Sequence, residues 1–159
     1  MILKKPNHCS GASASGACLI DCRNLDIIML NKMNQKILII EDDKFFREII
    51  SKKLQKENFD VATASDGKEA LAYLESHIPD LIVLDLILPG LDGYDILSII
   101  KKDKRIMAVP VIGLSNLGQQ EEIDKAKSLG AIDFMVKVNF TLEEIVGRVK
   151  HALFGLRQG

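Results

Sequence analysis

Charged and hydroxyl side chains directly follow four of the five short apolar runs in this sequence. In chain order they are Glu41, Asp42, Asp43, Asp85, Ser115 and Lys137. If the runs are neighbouring strands of one parallel sheet, their carboxyl ends meet at one edge, where such sheets bind ligands. The sequence therefore predicts that carboxylate, hydroxyl and ammonium groups lie close together there.

This set of groups suits phosphoryl transfer to a carboxylate. A carboxylate can attack phosphorus and form an acyl phosphate. The transfer needs a divalent cation and further donors around the phosphoryl oxygens, which an ammonium and a hydroxyl supply. Mg²⁺ accepts a few carboxylates together with waters and phosphate oxygens. Because clustered carboxylates also repel one another, the electrostatics predict a bound Mg²⁺ (or Mn²⁺) ion.

Each of these residues, taken singly, has a simpler interpretation. An acidic run before a helix complements the helix dipole, and a lone Asp or Ser after a strand often forms a turn. Lys137 could be an ordinary solvated lysine. These explanations do not account for polar groups at four strand ends of the same predicted sheet, so a cooperating site is favoured.

The elements that must position these residues alternate along the chain. Short apolar runs predict strands at residues 36–40, 59–63, 81–84, 109–114 and 132–136. Helical segments are predicted between them and after the last: at about residues 45–54, from residue 66 onward, and at about 94–102, 119–129 and 141–154. Thr141 and Glu144 form a capping-box pattern at the start of the last helix. This alternation predicts an α/β fold with a doubly wound parallel sheet.

Four segments closely resemble motifs of the receiver domains of two-component response regulators. They are residues 37–43 (ILIIEDD), 80–93 (DLIVLDLILPGLDG), 109–115 (VPVIGLS) and 133–137 (DFMVK). The second is the most specific, because an Asp four residues before Pro and seven before Asp-Gly is typical of the family. The resemblance covers about residues 34–155 and implies the flavodoxin-like receiver fold, with five parallel strands in the order 2-1-3-4-5.

The resemblance implies a role for each acidic residue. Asp85 is expected to accept a phosphoryl group from the phosphohistidine of a sensor histidine kinase or a histidine phosphotransfer protein. Arg47 lies where the family often has Arg, and counting back five residues makes Asp42 the principal metal ligand, with Glu41 as its partner. Ile87 would contribute only its backbone carbonyl to the metal.

The resemblance also implies how the phosphoryl group is held and read. Ser115 would donate a hydrogen bond to one phosphoryl oxygen, and Lys137 would pair with another. Phe134 matches the switch aromatic that rotates inward when the hydroxyl moves toward the phosphate. The expected output is a population shift at the surface formed by the fourth helix, the fifth strand and the fifth helix.

Three features depart from the family pattern or modify it. Val138 follows Lys137 where the family usually has Pro, often after a cis bond; a cis bond before a non-proline residue costs ~3 kcal/mol, so a trans or strained bond is expected. Asn116 replaces a smaller residue, and could restrict access to the site or add a hydrogen bond. Ile87 and Leu117 are large and apolar, so neither can orient an attacking water, and slow self-dephosphorylation is predicted.

Composition suggests three parts to the chain. Residues 1–33 are predicted to be an extension, either disordered or the result of an early start assignment; residues 34–155 form the receiver domain, and 156–159 a short tail without an output domain. All three cysteines lie in the first 22 residues. No run suits an export signal or a membrane span, so a cytoplasmic protein is expected.

Charge bears on the expected partners. The net charge is −1, and because residues 1–32 sum to +2, the remaining residues sum to −3. A mildly acidic domain argues against DNA binding through a basic face. The expected partners are therefore a kinase or phosphotransfer protein and a downstream protein target, without DNA or membrane contact. The chain would act as a stand-alone regulator, and would catalyse only its own phosphoryl transfer and slow self-dephosphorylation.

Two other functions compete with this interpretation. One is an interaction module of the same fold that no longer uses phosphorylation, against which the intact set of acidic, hydroxyl and lysine residues argues. The other is a hydrolase of the haloacid-dehalogenase kind, which resembles this pattern in using an Asp nucleophile on an α/β sheet. Those enzymes carry a general acid two residues after the nucleophile, a position that Ile87 holds here.

Overall fold

The computed structural model describes residues 35–116, 118–139 and 141–155. Within these ranges strands and helices alternate. They are β1 Lys36–Ile40, α1 Lys44–Lys56, β2 Asp60–Ala64, α2 Gly67–Ser76, β3 Leu81–Asp85, α3 Gly93–Lys102, β4 Val111–Ser115, α4 Gln120–Ser128, β5 Asp133–Val136 and α5 Leu142–Phe154. A 3₁₀ turn, Lys137–Asn139, follows β5.

The strands form one parallel sheet in the order β2-β1-β3-β4-β5. The predicted fold class and strand order are both confirmed. The register places Ile40 of β1 beside Leu84 of β3, and Asp85 beside Leu114 of β4. The carboxyl ends of these strands are therefore nearly level, and the residues that follow them start from one edge of the sheet.

Helices cover both faces of the sheet, which explains why the strand sequences are almost continuously apolar. Leu38 and Ile40 pack into one core cluster with residues of α2, α3 and α4. Ile37 and Ile39 point the other way, into a cluster with residues of α1 and α5. A strand buried on both faces fixes the position of whatever follows its carboxyl end.

Three strands begin later than the sequence pattern predicts: β4 by two residues, and β2 and β5 by one residue each. The chain enters β4 at Val111, not at residue 109, because Pro110 has no N–H to donate to the ladder; its carbonyl still accepts the N–H of Ile82 at 3.0 Å. The second strand begins at Asp60, because the Phe59 N–H bonds the Leu54 carbonyl at 3.2 Å and closes the end of α1.

Side-chain caps fix where the helices begin. Asp43 Oδ1 accepts the Phe46 N–H at 3.0 Å and starts α1. Asp66 caps α2 in the same way. Thr141 and Glu144 form the predicted capping box at the start of α5. Such caps satisfy N–H groups that have no partner within the helix, so they tie each loop to the helix that follows it.

Some predictions fall outside the part of the chain that the structure describes. These concern the whole of the proposed extension (residues 1–33), the tail (156–159) and Leu117. The domain boundaries at 34 and 155 stay predictions. Among the described helices, none is long and apolar enough to cross a membrane.

Candidate functional site

Asp85 is the last residue of β3 and lies at the floor of the site. Its side chain is almost fully buried, with 1% of the residue exposed. β3 is the central strand of the sheet, and all five of its residues are buried. An aspartate in this position is held by the sheet core and does not behave as a mobile turn residue.

Lys137 joins the two buried carboxylates of the site. Its Nζ lies 2.6 Å from Oδ2 of Asp85 and 2.8 Å from Oε1 of Glu41. Only 9% of the lysine side chain is exposed. The ammonium also lies 5.1 Å from the ring centroid of Phe46, close enough for a cation–π contact. The first, third and fifth strands thus deliver their polar residues to one point.

Glu41, Asp42 and Asp85 form an acidic cluster that could hold a metal ion. One carboxylate oxygen from each lies within 4.8 Å of the others. Glu41 is fully buried, and its Oε2 lies 2.7 Å from Lys137 Nζ in an ion pair, with no other donor bonded to it. Hard oxygen ligands, one of them a buried acceptor with unused capacity, fit Mg²⁺. Asp42 is exposed, so it offers its carboxylate from the solvent side.

These groups open onto a cavity of about 440 Å³. Its walls include Phe46 of α1, Ile87 and Asn116 of the loops after β3 and β4, and Val138 of the 3₁₀ turn. Asn116, which departs from the family pattern, is therefore placed at the rim and is exposed. The cavity has a charged floor and a partly apolar wall.

Burial and charge act together on the ionisable groups. Burial raises the pKa of the Glu41 carboxyl to about 7; the hydrogen bond from Lys137 opposes the rise, and the Asp85 carboxylate adds to it. Burial alone would lower the pKa of Lys137, but hydrogen bonds to Asp85 and Glu41 outweigh burial and raise it. The lysine therefore stays charged, and Glu41 is the group that a bound cation would help to ionise.

The loop after β3 holds the second oxygen of Asp85. The Ile87 N–H donates to Asp85 Oδ1 at 2.9 Å. The Ile87 side chain is 44% exposed and lies against the cavity. The predicted part of its carbonyl in metal binding stays a prediction, but its backbone is adjacent to the acidic cluster.

α3 begins directly against this loop. A Cβ on Gly93 would lie 2.4 Å from the Asp85 carbonyl oxygen and 2.5 Å from Leu86 Cα. Only glycine permits this approach of helix and strand end, because Cβ atoms essentially never come so close to backbone atoms. The two residues of the Asp-Gly pair at 92–93 thus have separate structural roles: Asp92 caps α3, and Gly93 allows the close packing.

Ser115 and Phe134 lie on neighbouring strands beside the site. Ser115 is the last residue of β4 and is fully buried. Phe134 of β5 is 8% exposed and belongs to the core cluster beneath α3 and α4. It pairs in register with Gly113, where an added Cβ would lie 3.5 Å from the phenyl ring. The ring therefore occupies the inward position in this structure.

The turn after Lys137 differs from the family expectation in a simple way. Every peptide bond among the described residues is trans, including the bond between Lys137 and Val138. Val138 enters a 3₁₀ turn and exposes 77% of its surface. The trans alternative that the sequence allowed is the one observed.

Sequence reasoning did not assign any contact to Phe46 or Arg47. Phe46 faces Lys137, and the Arg47 Nη1 donates to the main-chain carbonyls of Glu41 and Asp42. The signal that could have located them is their position in the first turn of α1, directly after the acidic run. The cap by Asp43 also explains why that third acid is absent from the cluster.

Comparison with known proteins identifies the family. Residues 37–150 match the model of the response regulator receiver domain. The chain belongs to this family of two-component systems. The solved receiver domain of the Francisella response regulator 1452 is 34% identical and superposes with a TM-score of 0.70, covering 76% of this chain and 97% of that one.

Several curated proteins contain a region that is similar in sequence to this chain. The alkaline phosphatase synthesis transcriptional regulatory protein PhoP of Bacillus subtilis is 40% identical over 123 residues, which are 76% of this chain and 49% of PhoP. The DNA-binding dual master transcriptional regulator RpaA of Synechocystis is 36% identical over 118 residues, 74% of this chain and 48% of RpaA. The chain spans about half the length of the curated relatives it matches.

These relatives contradict one expectation drawn from the sequence. The expected set of partners excluded DNA, yet proteins similar to this chain are DNA-binding transcriptional regulators. The exclusion was wrong because the charge of these residues tests only the receiver half of such a protein. It cannot exclude DNA contact by a region that the alignment does not cover.

Proposed function

We propose that Asp85 is the phosphoacceptor of this receiver domain, taking a phosphoryl group from the phosphohistidine of a sensor kinase or a phosphotransfer protein. The proposal concerns the domain, and it holds whether the domain acts alone or beside an output domain. The observation that carries it is the geometry of Asp85: a buried carboxylate, 2.6 Å from a buried ammonium and inside an acidic cluster.

Glu41, Asp42 and Asp85, with the Ile87 carbonyl, would hold Mg²⁺. When bound, the ion neutralises charge on the phosphoryl oxygens and on the carboxylates that face them. The fit rests on the oxygen-only ligand set and on the unused acceptor capacity of Glu41 Oε2. Lys137 supplies a single positive charge to two carboxylates, so it does not balance the negative charge of the cluster.

The chain's own residues direct the transfer. A carboxylate oxygen of Asp85 forms the new bond to phosphorus, the P–N bond of the donor phosphohistidine breaks, and its electron pair remains on the imidazole. Lys137 is already at the carboxylate, so it can follow the negative charge from Asp85 to a phosphoryl oxygen without leaving the site. Ser115, at the end of the next strand, is proposed to donate to another oxygen.

The conformational output is proposed to pass through β5. Phe134 lies on β5 between the site and the core beneath α3 and α4, and it is buried in this structure. Movement of Ser115 toward a phosphoryl oxygen would favour this inward ring position and shift the surface formed by α4, β5 and α5. We propose this surface as the one that the phosphorylated state changes.

The proposal predicts that the domain is phosphorylated and does not act as a phosphatase with steady turnover. No acidic side chain lies two residues after Asp85, where Ile87 stands, so hydrolysis of the acyl phosphate lacks that general acid. The domain would thus act as a signalling phosphoprotein, catalysing only its own phosphorylation and slow dephosphorylation. The cytoplasmic location expected from the sequence stays a prediction.

The test follows amide NMR shifts of the full chain in Mg²⁺ with beryllofluoride, a phosphoryl analogue. The wild type should show changes at Ile87 and across α4 and β5, and Asp85→Ala should show none of them. Asp95→Ala removes an exposed acid of α3 and is the matched control, which should respond like the wild type. An unchanged wild-type spectrum would favour the phosphorylation-independent module, and steady hydrolysis of acetyl phosphate would favour the hydrolase.

A further inference from the structure

We propose that Arg47 is a positioning residue for the divalent-cation site, acting through the backbone of the acidic loop. The inference rests on the proposed function, since it concerns how Glu41 and Asp42 are aimed at the cation. Arg47 is half-buried in the first turns of α1. Its role is distinct from those of the ligands, because it contacts their main chain and not their carboxylates.

The contacts are specific. Arg47 Nη1 donates to the main-chain carbonyl of Glu41 and, at 3.2 Å, to that of Asp42. The Glu41 N–H extends the sheet by bonding the Ala64 carbonyl at 3.1 Å. The main-chain carbonyls of Glu41 and Asp42 thus accept hydrogen bonds from a guanidinium of α1. Hydrogen bonds from a charged donor are stronger than those between neutral groups.

Asp43 completes a closed loop of interactions. Its side chain caps α1, and its N–H donates to Glu41 Oε1 at 3.2 Å. The chain therefore runs from β1 through the acidic residues into α1, and Arg47 returns from α1 to the acidic residues. Fixing the two carbonyls fixes the peptide planes, and with them the directions in which the Glu41 and Asp42 side chains leave the backbone.

The positive charge of Arg47, taken alone, would weaken Mg²⁺ binding, whereas its proposed positioning role strengthens it. A guanidinium beside a divalent cation repels it, so an Arg47 that acted only by its charge would weaken Mg²⁺ binding. Its removal would then tighten binding. A positioning role predicts weaker binding on removal, because the carboxylates lose their common orientation. The sign of the change in affinity separates the two roles.

The experiment measures Mg²⁺ affinity of the full chain by calorimetry and by the amide shift of Ile87, whose N–H bonds Asp85. Arg47→Met should weaken binding about tenfold, which corresponds to ~1.4 kcal/mol. Arg47→Lys keeps the charge and a donor, and should recover part of the loss. Arg105→Met is the matched control, since Arg105 also donates to a main-chain carbonyl, that of Glu75, at 3.0 Å. It removes the same charge at the other end of the sheet and should leave the affinity unchanged.

A kinetic readout checks the same point. With acetyl phosphate as donor, Arg47→Met should raise the Mg²⁺ concentration for half-maximal phosphorylation about tenfold, while the rate at saturating Mg²⁺ stays within about twofold of the wild type. Unchanged or tighter Mg²⁺ binding by Arg47→Met would overturn the proposal, as would a lost maximal rate at unchanged half-saturation. If Arg47→Met does not fold by circular dichroism, Arg47→Lys decides, with an expected loss of about threefold. A wild type that binds no Mg²⁺ refutes the proposed metal site itself, and with it the role of Arg47.

Discussion

The ammonium of Lys137 lies 2.6 Å from Oδ2 of Asp85, although the two residues are 52 positions apart in the chain. The contact joins the ends of β3 and β5, which are separated by β4 in the sheet. Both side chains are buried, so the ion pair is shielded from solvent. If Asp85 accepts a phosphoryl group as proposed, that group would meet a cation that is already in place.

The first prediction concerns the stability of this pair. Lys137→Met leaves the carboxylates of Asp85 and Glu41 buried without their cation, and should lower the free energy of unfolding by about 3 kcal/mol in Mg²⁺-free buffer. Saturating Mg²⁺ should restore part of the loss. Urea unfolding with and without Mg²⁺ measures both effects. Lys150→Met breaks the half-exposed pair with Glu57 and should cost less than about 1 kcal/mol, with no dependence on Mg²⁺.

The second prediction separates two neighbouring acids. Asp42→Asn should weaken Mg²⁺ binding more than about tenfold, because an exposed carboxylate of the cluster loses its charge. Asp43→Asn changes the α1 cap, and should alter the unfolding free energy by less than about 1 kcal/mol while Mg²⁺ affinity changes little. Calorimetric titration of both variants decides. Equal losses of affinity in the two would mean that the acids are not divided between metal and cap.

The third prediction concerns the lifetime of the phosphorylated form. Ile87 is apolar and borders the cavity, so it cannot orient a water for attack on the acyl phosphate. Ile87→Asn, and likewise Leu117→Asn at a position outside the described residues, should shorten the half-life several-fold. Decay is followed by mass spectrometry after the donor is removed. The control Ile99→Asn, at a similarly exposed isoleucine of α3, should leave the half-life unchanged. An unchanged half-life in Ile87→Asn and Leu117→Asn would contradict the prediction.

The fourth prediction uses two glycines. Gly93→Ala puts a methyl group 2.4 Å from the Asp85 carbonyl oxygen, so α3 must shift and stability should fall by at least about 2 kcal/mol. Gly147→Ala in α5 meets nothing within 4 Å and should stabilise the fold by roughly 0.5–1 kcal/mol, the ordinary gain for helix interiors. Thermal unfolding of both variants measures the contrast. A neutral Gly93→Ala would show that the approach of α3 to the strand end is not tight.

Much of this arrangement follows from the sequence because it depends on backbone topology. An apolar run followed by a charged residue, repeated along an alternating α/β chain, is enough to gather Asp85, Lys137 and the acidic pair at one edge. The strand order and the family were predicted and are confirmed. What periodicity cannot reveal is the reach of a side chain across a loop. The bond from Arg47 to two carbonyls and the ring of Phe46 over Lys137 depend on rotamers. The position of these residues in the first turn of α1 indicates only that they lie near the site.

Local chemistry also changed details of the prediction. β4 begins at Val111 because Pro110 lacks an N–H. Asp43 caps α1 because its side chain accepts the N–H of Phe46 in the first turn. Val138 follows a trans peptide bond and forms part of the observed 3₁₀ turn. The exclusion of DNA failed for a different reason: charge was counted only over this chain, which spans about half the length of its curated relatives.

The most direct measurement of the central claim locates the phosphoryl group. The full chain is incubated with acetyl phosphate and Mg²⁺, the acyl phosphate is reduced with borohydride, and peptides are sequenced by mass spectrometry. The account predicts one modified residue, Asp85, with modification lost in EDTA and in Asp85→Asn. Stable modification of another acid, or equal modification of Asp85→Asn, would contradict it.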